Sequence, residues 1–195
     1  MGCDIHSFAE VRKDGKWRRI FDELFRDYGE SMTSEPFGWR SYSVFAFLAD
    51  VRNYSRVPPI SETKSLPLDS EWLNTPHEYA YRTNPMSGEI IPYEERETNR
   101  HFCLGNPNYH SFSWLTLKEL LEFDYGQQFE NRRYRKTIIT PGGGTVVDGG
   151  AEAVPGDGEM VSYRNFLGTG YFECLLQLKM LGAPEDVRIV FWFDN

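Results

Sequence analysis

Met1-Gly2-Cys3-Asp4-Ile5-His6-Ser7-Phe8-Ala9-Glu10-Val11-Arg12-Lys13-Asp14-Gly15-Lys16-Trp17-Arg18-Arg19-Ile20 is the stretch that decides the fold. Asp14-Gly15 stands between two alternating runs, and a type I′ turn needs positive φ at both central residues, which this pair adopts most readily. The chain is therefore expected to open as a β-hairpin. Because a strand points alternate side chains to opposite faces, Cys3, Ile5, Ser7, Ala9 and Val11 share one side and Asp4, His6, Phe8 and Glu10 the other. The second set places two carboxylates and an imidazole around Phe8. Either that face is the wet side of a half-buried antiparallel strand, or it lines a polar site.

At the opposite end, Val187-Arg188-Ile189-Val190-Phe191-Trp192-Phe193-Asp194 is a dense β-forming run. Such a run belongs in the middle of a sheet, buried on both faces, with Arg188, Val190, Trp192 and Asp194 on one side. Between the two ends lie three helical patterns. Val44 to Ala49 carries apolar residues at helical spacing behind a serine N-cap. Thr116 and Glu119 have capping-box spacing, predicting a helix to about Phe123 whose start follows His110, Ser111 and Ser113. Ser162 to Leu181 is helical, with a kink expected at Gly168 or Gly170 and a C-cap at Gly182. Gln127 to Arg133 reads as strand or helix, Tyr134 to Thr140 as strand. Residues 61–108 form a loop-rich insertion in which Glu94 to Glu97 is a solvated charge run. Residues 141–158, with seven glycines and two prolines, read as a mobile loop lacking the Lys-Ser/Thr of a P-loop. The expectation is one α+β domain over 1–195, with a mainly antiparallel or mixed sheet, about three helices and long loops.

The chain has 195 residues, enough to bury a core, and its 15% aromatic content supplies much of the core volume. A net charge of −8 gives no general attraction for nucleic acid or an anionic membrane, although Arg132, Arg133, Arg135 and Lys136 cluster locally. No apolar run is long enough for a transmembrane helix, and the first residues do not form a secretory signal. Three widely separated cysteines, Cys3, Cys103 and Cys174, fit free thiols in a reducing cytoplasm.

Several chemistries suit the polar residues. Arg40, Arg52, Arg56 and Lys64 lie around a loop stiffened by Pro58-Pro59, and an arginine fork grips phosphate with two parallel bonds. Ser111 and Ser113 ahead of a helix N-terminus would donate to an anion, and Tyr42, Tyr109 and Trp114 offer stacking surfaces. His6, with Asp4, would meet sugar hydroxyls or support His110. The binding set is thus His6, Arg40, Tyr42, Arg52, Tyr109, His110, Ser111, Ser113 and Trp114, with no cofactor. The alternative is a divalent transition metal on Asp4, His6 and His110, with Asp50 or Asp194 as a further ligand and Glu10 or His110 as catalytic base. His110-Ser111 is not a triad, and Cys3 with His6 is disfavoured because the two fall on opposite strand faces.

The segments Met1 to His6, Phe45 to Asn53, Pro59-Ile60-Ser61, His110 to Leu117 and Val187 to Asn195 resemble a family of small uncharacterised proteins of bacteriophages and prophages. The resemblance implies a phage accessory protein, of anti-defence type, expressed in the cytoplasm of a bacterial host. It implies no mechanism. With the charge pattern it leads to one expectation: sequestration of a small phosphorylated or nucleotide-derived ligand, such as a host immune signal. The alternatives are a metal-dependent phosphoester or nucleotide hydrolase and a protein that inhibits a host factor. Neither bulk nucleic acid nor membrane is expected as a partner, and self-association stays open.

Overall fold

A computed structural model describes residues 2–27, 31–77, 87, 98–133, 136–139, 145–148 and 152–195, with backbone only at 136–139 and 145–148. The opening hairpin is present: β1 (Ile5–Lys13) returns through Asp14 (φ 52) and Gly15 (φ 77) into β2 (Lys16–Arg19). Both turn residues have the positive φ that a type I′ turn demands. The closing run is β10 (Val187–Asp194), which pairs antiparallel with β1 on one side and with β5 (Tyr109–Thr116) on the other. The main sheet is therefore β2-β1-β10-β5, antiparallel throughout, with the C-terminal strand central.

Each face of this sheet is covered. On the first, Ile5, Ala9, Val11, Ile189, Phe191 and Phe193 pack with α1 (Tyr42–Ala49), α3 (Leu117–Glu122) and α4 (Tyr163–Lys179) in the larger core. Every α1 residue from Val44 to Ala49 is buried, so this helix is apolar all round as interior helices are. On the second face, Phe8, Val190 and Trp192 meet Leu66, Leu73 and Cys103 in a smaller cluster. Leu73 lies on a short 3-10 turn, Trp72–Asn74, and Cys103 on α2 (Asn99–Gly105). The described part of 61–108 thus closes the second face: Phe8 is fully buried there and not on a wet surface. Ser65 donates its backbone N–H to Phe112 O at 3.0 Å, covering the edge of β5.

Three smaller pairs complete the α+β domain: β3 (Phe25–Arg26) with β4 (Met32–Thr33), β6 (Gln128–Asn131) with β9 (Glu159–Ser162), and β7 (Lys136–Ile139) with β8 (Thr145–Asp148). The span 141–158 therefore contains a strand. Its glycines from 142 to 144, and the charge run Glu94 to Glu97, lie outside the described residues. The kink in α4 falls at Gly168 (φ 75, ψ 174), and the helix ends with Met180 as cap, ahead of Gly182.

The largest departure is at 109–116. The helix begins at Leu117 behind the expected Thr116–Glu119 capping box, but the residues before it, read as the lead-in to a helix N-terminus, form a strand. A bulge opposite Trp192, with Ser111 at φ 53, interrupts its alternation. Cys3, Cys103 and Cys174 are buried free thiols. Among the described residues no helix is long and apolar enough to cross a membrane.

Candidate functional site

Antiparallel register sets Ile5 against Phe193 and His6 against Trp192, which brings the start of β1 beside the end of β10. Asp4 N–H donates to Asp194 Oδ1 (3.0 Å), and Asp194 N–H donates to Asp4 O (3.1 Å). The other carboxylate oxygen of Asp194 lies 3.1 Å from His6 Nε2. An imidazole held through one nitrogen by a carboxylate has a fixed ring orientation, the geometry of an acid/base or ligand-binding histidine. The His6 ring stacks on Trp192 (centroids 5.6 Å, planes 16° apart) and meets Tyr109 at 5.0 Å. Both His6 and Asp194 side chains retain about 30% exposure, at 30% and 31%, so the pair is reachable from solvent.

Arg40 closes the rim with a two-pronged contact to Asp4: Nε to Oδ1 at 2.7 Å and Nη2 to Oδ2 at 2.6 Å. That hydrogen-bonded guanidinium holds the Asp4 carboxyl below its usual range. A Cβ at Gly2 would stand 2.7 Å from Arg40 Nη1, so a larger residue there would push the guanidinium end aside. Glu35 belongs to the same neighbourhood. Its backbone is fixed by Thr33 Oγ1, which accepts from Glu35 N–H (3.2 Å), and burial raises its pKa against the pull of His6 and Arg19. Tyr109 is likewise raised by burial.

The reverse side of this corner carries other expected residues. Cys3 is fully buried and its thiol is raised by burial, although it bonds to Arg52. Arg52, in the left-handed region at φ 50, also bonds Tyr54 and donates to Asn195 Oδ1 at 3.3 Å. Tyr42 packs on the Tyr54 ring at 6.1 Å. His110 lies opposite Phe193 and stacks against it (6.1 Å, 26°), so it occupies the same face as Ile5 and faces away from Asp4 and His6. Its Nδ1 is 3.0 Å from Ser111 Oγ, while its Nε2 is buried without a hydrogen-bond partner among the described residues.

Asp4, His6 and His110, the expected metal set, are therefore divided between two faces of the sheet. Among the described residues no three carboxylate, imidazole or thiol groups stand close enough to share a metal ion.

The remaining expected residues sit elsewhere. Ser113 is buried and accepts from Lys64 N–H at 3.0 Å, which excludes the helix-start anion site inferred for Ser111 and Ser113. Trp114 is no open stacking surface, since Lys64 Nζ lies 4.5 Å and Arg188 5.4 Å from its ring. Glu10 is fully buried, accepting from Arg188 Nε at 2.7 Å and from the Ser70 hydroxyl, so it is engaged and not a free base. Arg56 pairs with Glu152, away from this corner.

Of the nine expected binding residues, the corner gathers His6, Arg40 and Tyr109 on one face and Arg52, Tyr42 and His110 behind them. Sequence reasoning missed Glu35 and the role of Trp192. Strand register could have exposed Trp192 as the partner of His6, whereas Glu35 sits in a Pro-Gly loop without periodic signal. Compared with family models, curated proteins and solved structures, the chain matches none of them.

Proposed function

We propose that the β1–β10 corner captures a small phosphorylated or nucleotide-derived ligand, and that the protein acts by sequestering it in the cytoplasm of a bacterial host. The observation that carries this reading is the grouping of an exposed arginine fork, a carboxylate-held imidazole and an aromatic ring on one side of the sheet. Arg40 and Asp4 are each about half exposed, at 48% and 49%, and such a pair is worth only about 0–1 kcal/mol in water. A phosphate dianion offers the fork a stronger charge-assisted partner, so ligand binding can displace Asp4 at little cost. Asp194, with His6, then faces sugar hydroxyls, and Tyr109 provides an aromatic edge. The likeness to phage and prophage proteins supplies the class of target, a host immune signal.

A second reading follows from the same His6–Asp194 contact. An imidazole oriented by a carboxylate can act as a general base, so hydrolysis of a phosphoester at this corner would need neither His110 nor a second histidine.

Incubation with a nucleotide panel, followed by heat denaturation, separates the two. Sequestration returns intact ligand at one equivalent per chain, whereas hydrolysis returns altered product. Arg40→Ala should weaken binding by about ten- to a hundredfold, as loss of charged hydrogen bonds does. Failure of every nucleotide to bind or react would overturn both readings and direct attention to a host-protein partner, tested by pull-down.

A further inference from the structure

A cavity of about 540 Å³ opens between the starts of α1 and α4 and the β6–β9 strand pair. Its size is that of small-molecule sites, roughly 300–1,000 Å³. Four neutral polar side chains line it: Ser43, Ser55, Asn131 and Asn165. Ser55 is 5% exposed, and its hydroxyl makes no hydrogen bond among the described residues. Ser55 lines the cavity, so a ligand that enters can bond its hydroxyl. The hydroxyl of Ser43 and the carboxamide of Asn165 are also without partners among the described residues. Asn131 uses its Oδ1 on the N–H of Arg133 at 3.1 Å and leaves its NH₂ group unengaged.

Hydroxyls and carboxamides both donate and accept, which matches a ligand whose own groups do the same. Phe166 and Val161 add an apolar wall. Charge on the lining comes from Asp157 and Glu159 against Arg133, a balance that disfavours an anion. We propose that this cavity binds a neutral polyhydroxylated molecule of sugar or nucleoside size, at a site separate from the His6 corner.

The test is titration of the full chain with methyl glucoside, methyl galactoside, adenosine and uridine, up to about 10 mM, followed by amide nuclear magnetic resonance. Binding should shift the side-chain NH₂ signals of Asn131 and Asn165 and leave His6 signals in place. Glucose 6-phosphate and uridine monophosphate should perturb the same NH₂ signals less than their neutral counterparts. Asn165 is solvent-exposed on the first turn of α4, so Asn165→Leu should keep the melting temperature while weakening binding by about tenfold. Response to glycosides alone assigns a sugar site, and response to nucleosides alone a nucleoside site. Unmoved Asn131 and Asn165 signals with all four neutral probes, tighter binding of the phosphorylated forms there, or an unaffected Asn165→Leu would each overturn the proposal. Because the readout is local, its failure is distinct from failure of nucleotide capture at the His6 corner.

Discussion

Glu35 and Asp4 flank the same histidine and respond to folding in opposite directions. Arg40 lowers the Asp4 pKa, so Asp4 favours the folded state at neutral pH and loses that contribution as pH falls through its folded value. Burial raises Glu35 above its ordinary 4.5, so the folded chain binds its proton more tightly than the unfolded chain does. Its contribution is fully present in acid and disappears as pH rises from that value through the raised one. Glu35→Gln removes the charge while keeping the shape. The variant should melt higher than the parent at about pH 8, with the difference vanishing near pH 4. Thermal melts across that range check this, and a difference independent of pH would mean that Glu35 is not held against its charge. Nothing in the sequence marks Glu35, because desolvation depends on which chain segments cover it. His6 was legible, since its face followed from strand alternation alone.

At the scale of the element, the capping box and a kink at Gly168 or Gly170 were readable in the sequence, whereas the choice of Gly168 and the strand before α3 were not. In β5 the bulge at Ser111 puts His110 on the first face and Phe112 and Trp114 on the second, so the period-2 signal breaks where the strand should have declared itself. The same parity change turns His110 away from His6. Thr116 accepts from Glu119 N–H (3.1 Å) and Glu119 Oε2 accepts from Thr116 N–H (2.7 Å), while Lys64 also pairs with Glu119. Thr116→Ala should therefore cost about 1 kcal/mol in urea unfolding, the usual value of an N-cap. In α4, Gly168 holds a φ and ψ that only glycine adopts freely, so Gly168→Ala should cost about 1–3 kcal/mol. Gly170 is helical, and a Cβ there would meet Trp39 Cζ2 at an ordinary 3.6 Å. Gly170→Ala should instead be neutral or stabilising by up to about 1 kcal/mol. Equal losses at the two glycines would show that the kink does not reside at Gly168.

The molecule as a whole is built around a sheet covered on both faces, and its second face contains a charge pair that period-2 reading places correctly but cannot interpret. Glu10 and Arg188 sit opposite each other in β1 and β10, 0% and 2% exposed, with Arg188 sandwiched between Trp17 (4.1 Å) and Trp114 (5.4 Å). Arg188 Nη1 reaches Asp69 Oδ1 at 2.8 Å, while Nη2 is buried without a partner among the described residues. Glu10→Leu alone leaves the buried guanidinium only the exposed Asp69 and should cost about 3 kcal/mol; Arg188→Met alone leaves the buried carboxylate only the Ser70 hydroxyl and should cost about 3–5 kcal/mol. Together the substitutions remove both charges. Met fills the space between the tryptophans with an unbranched, polarizable chain, Asp69 is 61% exposed and can hydrate, and Ser70 Oγ still accepts from Leu73 N–H at 3.2 Å. The double variant should accordingly be more stable than either single one, with a coupling of several kcal/mol in a urea double-mutant cycle. Additive losses would mean that the two charges stabilise the sheet through separate neighbours and not through each other.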